Sequence, residues 1–205
     1  CGVSYVLVIP ETKSLVLKLS KPEAVLDAIP GAKRITHAGK ELVSVPHGLD
    51  EAKVLRNLGV HAPSPILHYY KWRGRYTPFE HQKLTSAFLT MHKKCVVLNE
   101  IGTGKTISVL WAADFLMGVG AIKKVLIVSP LSTLERVWAD SVYTNFPNRK
   151  SVTLHGAAAK RKKLLAANAD FYIVNHDGFE IIWEGACGKF DLVVVDEAAV
   201  YRNPT

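Results

Sequence analysis

The chain of 205 residues is poor in sulfur, with three cysteines, Cys1, Cys95 and Cys187, and two methionines. The cysteines lack the paired spacings of a metal site, and their scarcity predicts a reduced, intracellular setting. No apolar run reaches the eighteen or so residues that cross a membrane, and no charged head precedes the apolar N-terminal stretch. We therefore expect no membrane span and no signal peptide. Because residue 1 is not methionine, we also expect a trimmed or internally started chain.

Negative charge is also in short supply. Lysine and arginine number 26 against 18 aspartates and glutamates, which gives a net charge of +8. This excess favours a polyanionic partner such as nucleic acid. Lys160 and Arg161 open a run of four cations, for which a solvated helix face is the alternative. Residues 71–76 interleave cations with aromatic side chains that could stack on nucleic-acid bases or sandwich a nucleotide base.

The most informative stretch is a glycine-rich turn between two apolar segments. Residues 96–98 predict a buried strand that Cys95 opens, and residues 107–111 predict a helix. The turn contains Gly102, Thr103, Gly104, Lys105 and Thr106. Its glycines let backbone amides face phosphate oxygens, Lys105 can reach the β- and γ-phosphates, and Thr106 can bind magnesium. Asn99 stands where the usual pattern has its first glycine, and a plain strand-to-helix turn is the alternative.

Two adjacent carboxylates follow a second apolar run. Residues 192–195 predict a parallel strand that is buried on both faces, and Asp196 and Glu197 come directly after it. Side chains at the carboxyl ends of such strands face the ligand crevice. Asp196 would hold magnesium, and Glu197 would orient and deprotonate the water that attacks the γ-phosphate. Two acids that merely cap the next helix are the alternative, which the upstream phosphate loop disfavours.

Strands and helices alternate between these two motifs. Strands are predicted at residues 124–129, 151–154 and 170–174, and helices at residues 130–142 and 157–167. Residues 175–178 are predicted to close the third of these strands. The alternation predicts an α/β fold, with a mostly parallel sheet covered by helices on both faces.

The first part of the chain follows a different pattern. Short strands are predicted at residues 3–9, 14–19, 33–37 and 41–45, and helices near residues 24–29 and 47–58. Residues 62–65 predict a stiff linker. We therefore predict a small α+β accessory domain over residues 1–68 and a second domain over residues 69–205. We interpret five of the eight scattered histidines as surface or packing residues: His37, His47, His61, His68 and His81.

Five segments in order resemble motifs of the superfamily 2 helicases and translocases, most closely of the Swi/Snf type, including its phage and bacterial members. Residues 100–106 are similar to motif I and residues 130–134, with Trp138, to motif Ia. His155 and Gly156 ahead of Lys160 are similar to the following segment, and residues 173–176 to the region of motif Ib. Residues 196–199 are similar to motif II, and Arg202 and Asn203 to its tail. Upstream, residues 76–82 resemble the aromatic-x-Gln segment before motif I.

The resemblance implies the first RecA-like lobe of a P-loop ATPase that uses ATP and Mg²⁺. Gln82 would read the adenine edge. The implied nucleic-acid contacts are Ser132, Thr133, Asn175, Lys160 and Arg161. The implied partner is DNA, whether duplex, forked or single-stranded, that the protein travels along or remodels. RNA is less expected, because motif II reads Asp-Glu-Ala-Ala here.

Two departures from the family pattern shape the expected activity. Ala199 replaces the histidine that usually links nucleotide state to the rest of the motor. The chain also stops just past motif II, so the second RecA-like lobe and its arginine finger, worth roughly 10³ to 10⁵ in rate, are not in this sequence. We expect nucleotide binding with weak hydrolysis. An RNA helicase, a non-motor nucleic-acid-binding or ATP-switch module, and a small-molecule kinase are the alternatives, and the accessory domain either grips DNA or supports the lobe.

Overall fold

The structure is a computed structural model that describes residues 3–98 and 102–197, with side-chain surroundings from residue 5 onward. Several predicted motif residues lie outside these ranges: Asn99, Glu100, Ile101, Ala198, Ala199, Arg202 and Asn203. Contacts divide the chain into two compact units. Unit 1 comprises Cys1–Lys71 and Lys83–Leu98, and unit 2 comprises Trp72–Gln82 and Asn99–Thr205. The predicted domain boundary between residues 68 and 69 stays a prediction.

Unit 1 contains a four-stranded antiparallel sheet in the order β1-β2-β4-β3. Its strands are β1 (Val3–Ile9), β2 (Ser14–Leu19), β3 (Lys33–His37) and β4 (Lys40–Pro46). A 3-10 turn, Pro10–Thr12, joins the first two strands. Ala38 and Gly39 join β3 to β4 with φ angles of 49° and 73°, as expected for a two-residue hairpin turn.

Four helices carry residues of this unit: α1 (Glu23–Ala28), α2 (Leu49–Asn57), α3 (Ile66–Tyr69) and α4 (Glu80–Met91), the last from Lys83 onward. Its core is built from alternate residues of β2 and β4 and the inner faces of α1 and α2: Leu15, Leu17, Val25, Ile29, Val43, Val45, Leu55 and Val60. Ser64 is buried, and its hydroxyl is 2.7 Å from the Thr90 hydroxyl. The segment predicted to be a stiff linker is therefore packed inside the unit.

His47 is buried in unit 1 with both ring nitrogens in hydrogen bonds. Its Nδ1 is 2.9 Å from the Tyr69 hydroxyl, and its Nε2 donates to the Pro63 carbonyl at 2.8 Å. Burial lowers the pKa of His47 below its ordinary value, although the hydrogen bond to Pro63 opposes this shift. Burial also lowers the pKa of His68, whose ring lies 5.6 Å from that of His47. His47 therefore serves packing, as predicted from the sequence.

Unit 2 contains a four-stranded parallel sheet in the order β6-β7-β5-β8. In chain order its elements are α5 (Lys105–Gly118), β5 (Val125–Ser129), a π-helical turn (Leu134–Ala139), α6 (Asp140–Asn145), β6 (Ser151–Thr153), α7 (Ala158–Leu165), β7 (Phe171–Asn175), α8 (His176–Ala186) and β8 (Leu192–Val195). β5 pairs with β7 on one side and with β8 on the other. This arrangement confirms the predicted α/β fold preceded by a small α+β region.

The two central strands are covered on both faces, whereas Val193 and Val195 of β8 are 51% and 43% exposed, so the prediction that residues 192–195 are buried on both faces was wrong. Every residue of β5 and β7 is buried, as expected for strands with near-continuous apolar sequence. On one face, Leu126, Val128, Tyr172 and Val174 pack with Leu165 of α7 and Ile182 of α8. None of the described helices combines the length and the apolar character needed to cross a membrane.

Other predictions of local structure were also wrong. Residues 96–98 are irregular, and Val96 and Leu98 are 77% and 87% exposed. Cys95, predicted to open a buried strand, is exposed as well. These residues pair with no described strand, so an apolar run alone did not make them a strand. Residues 176–178, predicted to close a strand, instead begin α8.

Candidate functional site

The glycine-rich loop leads directly into α5. Gly102 and Gly104 have φ angles of 82° and 78°, and Gly104 is the N-cap residue of the helix. A Cβ atom at Gly104 would lie 2.2 Å from Nε2 of Gln82, whereas a Cβ atom at Gly102 would meet nothing within 4 Å. Glycine is therefore required at position 104 both by the left-handed backbone and by the neighbouring side chain.

Gln82 holds this loop from the preceding helix. Its Oε1 accepts a hydrogen bond from the Phe79 backbone N–H at 3.1 Å, and its Nε2 donates to the Thr103 carbonyl at 3.1 Å. His81 Nε2 lies 3.2 Å from the same carbonyl oxygen. The carboxamide thus connects the start of α4 to the loop through an acceptor and a donor on one side chain. The structure thus brings Gln82 and the loop together.

Lys105 and Thr106 form the first turn of α5 and are half-buried. The first turn of a helix presents unpaired backbone N–H groups and the positive end of the helix dipole, which favour an anion. Lys105 adds a mobile positive charge at this end. The arrangement can bind phosphate groups, and the Thr106 hydroxyl can serve as an oxygen ligand for a cation beside them.

The acid pair follows β8 directly. The Asp196 backbone N–H donates to the Val128 carbonyl at 2.8 Å, so this residue extends the pairing of β8 with β5. Asp196 Oδ2 accepts a hydrogen bond from Trp138 Nε1 at 3.0 Å. Glu197 is exposed and adopts a left-handed backbone with a φ angle of 53°, a conformation that costs a residue with a side chain about 1 kcal/mol or more.

Thr106 and Asp196 together offer the donor types that magnesium prefers. A hydroxyl and a carboxylate are hard oxygen ligands, and Mg²⁺ bound beside phosphates uses one or two such ligands and keeps several waters. Among the described residues, no group of three or more His, Cys, Asp or Glu side chains is arranged to hold a metal ion. The available donors therefore fit a magnesium ion that arrives with a phosphate ligand.

Ser132 and Thr133, predicted to contact nucleic acid, lie between β5 and the π-helical turn. The Thr133 backbone N–H and hydroxyl both donate to the Pro130 carbonyl, at 3.1 and 3.0 Å. The Thr133 hydroxyl proton is thus already used within the loop. Ser132 is exposed, which makes it the better placed of the two to donate to a phosphate oxygen.

Two other predicted nucleic-acid contacts are buried. Arg161 and Asn175 are 8% and 5% exposed. Arg161 Nη1 donates to the Leu154 carbonyl at 3.0 Å and to Asn175 Oδ1 at 2.8 Å, and Arg161 Nε donates to the Gly156 carbonyl at 2.7 Å. These bonds join the loop after β6 to the end of β7. Arg161 and Asn175 are therefore engaged inside the protein, whereas Lys160 is exposed, and the contact of these residues with nucleic acid stays a prediction.

The cation-rich segment at residues 71–76 also serves packing. The Trp72 ring contacts Trp111 of α5 edge-on at 5.4 Å, and Trp111 Nε1 donates to the Arg73 carbonyl at 2.6 Å. The Arg73 guanidinium lies 3.7 Å from the buried Asp114 carboxylate. Sequence reasoning read these aromatics as stacking groups, whereas Trp72 and Trp111 attach the segment to α5.

Sequence reasoning missed the hydrogen bond between Trp138 and Asp196. The two residues are 58 positions apart, and each was assigned to a separate motif. The sequence did contain a signal for this bond. A buried tryptophan usually donates its N–H to a partner, and a carboxylate at the end of a neighbouring strand is a candidate acceptor.

The comparisons with known proteins agree with this geometry. Residues 79–203 match the family model of the DEAD/DEAH box helicase. The fold is similar to a solved structure described as the Sulfolobus solfataricus SWI2/SNF2 ATPase core in complex with dsDNA, with a TM-score of 0.55 and 16% sequence identity. That similarity covers 64% of this chain and 28% of the Sulfolobus chain. The search of curated proteins found no match. The family match confirms the resemblance to superfamily 2, and the chain belongs to the DEAD/DEAH box helicases.

Proposed function

We propose that this chain carries the ATP-binding lobe of a DNA-dependent ATPase that translocates on duplex or branched DNA or remodels it. The observation that carries the proposal is the glycine loop at the start of α5, held by Gln82, in a chain whose β8 ends on an acid pair. The membership of a helicase family and the similarity to an ATPase core solved with dsDNA support it. A second RecA-like lobe supplies the remaining catalytic groups.

Each site residue has a proposed role. Gly102, Thr103 and Gly104 surround the phosphates of ATP with backbone N–H groups, and Lys105 binds the β- and γ-phosphates. Thr106 and Asp196 hold Mg²⁺, which neutralises charge on the phosphate oxygens. Glu197 orients and deprotonates the attacking water. Gln82, which lies beside the loop, reads the adenine edge.

Nucleotide binding by this chain is the first test. We expect a fluorescent ATP analogue to bind in the presence of Mg²⁺ and Lys105→Ala to abolish binding, because the variant removes the cation nearest the phosphates. Lys124→Ala is the matched control, since Lys124 precedes β5 at the opposite end of the sheet from the acid pair. Equal binding by the Lys105→Ala variant would contradict the proposal.

DNA dependence is the second test. ATP hydrolysis is measured with duplex, forked and single-stranded DNA and with duplex RNA, for this chain and for a protein that also contains the second lobe. We expect stimulation by DNA only when the second lobe is present. Stimulation by RNA alone would instead favour an RNA helicase. Tight DNA binding without stimulation in either protein would favour a non-motor binding module.

The DNA-contacting surface can be tested through its charge. Lys160 and Lys162 are exposed on α7, whereas Lys123 and Lys189 precede β5 and β8. If the first pair contacts phosphates, its double replacement by glutamine should lower the slope of log affinity against log salt by about 0.9 per lost contact. The same replacement at Lys123 and Lys189 should leave the slope unchanged. Equal slopes in both variants would identify the α7 lysines as a solvated face.

A further inference from the structure

The Asp196 carboxylate is held by a buried tryptophan from the segment that follows β5. Trp138 is 2% exposed, and its indole N–H donates to Asp196 Oδ2 at 3.0 Å. An indole nitrogen is only a donor, so the bond has one possible direction. Because Oδ2 accepts from Trp138, Oδ1 is the carboxylate oxygen left with its full capacity for a metal ion or its water.

The backbone around Trp138 is arranged to place its ring. The Thr133 carbonyl accepts two hydrogen bonds, from Val137 N at 3.1 Å and from Trp138 N at 3.2 Å. The second of these closes a π-helical turn, Leu134–Ala139, which is rare and occurs frequently at functional sites. The extra residue in a π-helical turn changes the directions in which the side chains of that turn leave the helix. Trp138 is one of the residues in this turn.

A second buried tryptophan shows that this bond is more than the usual satisfaction of an indole N–H. Trp111 is also fully buried, and its N–H donates to the Arg73 backbone carbonyl at 2.6 Å. A backbone carbonyl is therefore sufficient to satisfy such a group in this fold. Trp138 instead uses a charged carboxylate, and Asp196 is also held by β5, where the Val128 carbonyl accepts its backbone N–H.

We propose that Trp138 is a positioning residue for magnesium, because its indole N–H fixes the orientation of the Asp196 carboxylate. The inference rests on the proposed function of Asp196 as a magnesium ligand. Hydrogen-bond partners of this kind commonly contribute roughly 10- to 100-fold to metal affinity or activity. The segment that carries Ser132 and Thr133 is thereby connected to the metal ligand through one side chain.

The first experiment detects the hydrogen bond without any ligand. Each of the four tryptophans gives one indole signal in a ¹⁵N–¹H NMR spectrum, and single Trp→Phe variants assign them. We expect Asp196→Asn to move the Trp138 signal while the Trp111 signal stays in place. An unmoved Trp138 signal would overturn the inference, and this readout does not depend on whether the protein binds nucleotide.

The second experiment measures magnesium dependence. Nucleotide affinity is determined across a range of Mg²⁺ concentrations for Trp138→Phe, with Trp111→Phe as the matched control. We expect Trp138→Phe to raise the half-saturating Mg²⁺ concentration roughly tenfold and to leave the affinity without Mg²⁺ unchanged. In the Asp196→Asn background the same substitution should have no further effect. If Trp138→Phe lowers nucleotide affinity equally with and without Mg²⁺, Trp138 is a packing residue only. The same conclusion follows if Trp138→Phe lowers the affinity by the same factor in the Asp196→Asn background.

Wild-type protein separates the two proposals in this assay. If it binds no nucleotide at any Mg²⁺ concentration, the proposed function fails, and the NMR experiment still decides whether Trp138 and Asp196 are coupled. If it binds nucleotide and the two tryptophan variants respond alike to Mg²⁺, only the role of Trp138 fails.

Discussion

Replacing Gly178 with alanine should destabilise unit 2 through a residue that lies 17 positions away in sequence. A Cβ atom at Gly178 would stand 1.7 Å from Arg161 Nη1 and 2.6 Å from Asn175 Oδ1. The guanidinium would have to move, and the two Nη1 bonds to Leu154 and Asn175 would be lost. At about 1.5 kcal/mol each, their loss costs about 3 kcal/mol. Because alanine has a higher helix propensity than glycine, the substitution in α8 also stabilises by up to about 1 kcal/mol. The free energy of unfolding should therefore fall by about 2 kcal/mol.

Tryptophan fluorescence during urea unfolding is a suitable assay, because all four tryptophans lie in unit 2: Trp72, Trp111, Trp138 and Trp183. Gly118→Ala is the control, since Gly118 ends α5 and an added Cβ meets nothing within 4 Å. The decisive comparison repeats Gly178→Ala in an Arg161→Ala background, where the clash with Arg161 is removed and the Asn175 side chain, no longer bonded to Arg161, can turn away, so the substitution should cost much less. A loss of about 2 kcal/mol in both backgrounds would refute the argument that Arg161 causes it.

Two further predictions concern other buried charged or titratable groups. Asp114 is 3% exposed and accepts a hydrogen bond from Arg149 Nε at 2.7 Å. Asp114→Ala should leave the guanidinium without its main partner and lower the free energy of unfolding by about 3 kcal/mol in the same fluorescence assay. Glu180→Gln, at an exposed position, should change it little. In unit 1, burial lowers the pKa of His47, so its stabilising contribution is complete above pH 6.5 and is lost as the pH falls through the lowered value. Hydrogen exchange of unit 1 peptides, corrected for the intrinsic pH dependence of exchange, should therefore accelerate on acidification. We expect His47→Gln to weaken this response and the exposed His61→Gln to preserve it.

The sequence alone was sufficient to predict the elements whose local residue pattern agrees with their packing. β5 and β7 are apolar throughout and are buried throughout, and β8 matches its predicted bounds. The loop at Gly102 and Gly104 was also predictable, because only glycine adopts those φ angles without strain. In each case one local property of the residues dictates the structure.

Prediction failed where a residue's role depends on a partner far away in the chain. Residues 176–178 were predicted to close a strand, yet they begin α8, where Gly178 makes room for Arg161 of α7. Arg161 itself was read as a surface cation because its neighbours in sequence are lysines. Its buried guanidinium bonds to acceptors in the loop after β6 and at the end of β7, and sequence spacing does not reveal them.

The same dependence on distant partners explains how the site is built. Among the described residues, no strand leads directly into the candidate phosphate loop. The loop is instead held by Gln82, and Asp196 is held by Trp138. Each is a side chain from a neighbouring segment that holds a site group through a hydrogen bond. A shift of either segment would change the geometry of the group that it holds. A ligand bound near Ser132 would then act on Asp196 through Trp138, which is the kind of link between two sites that the proposed DNA-dependent ATPase requires.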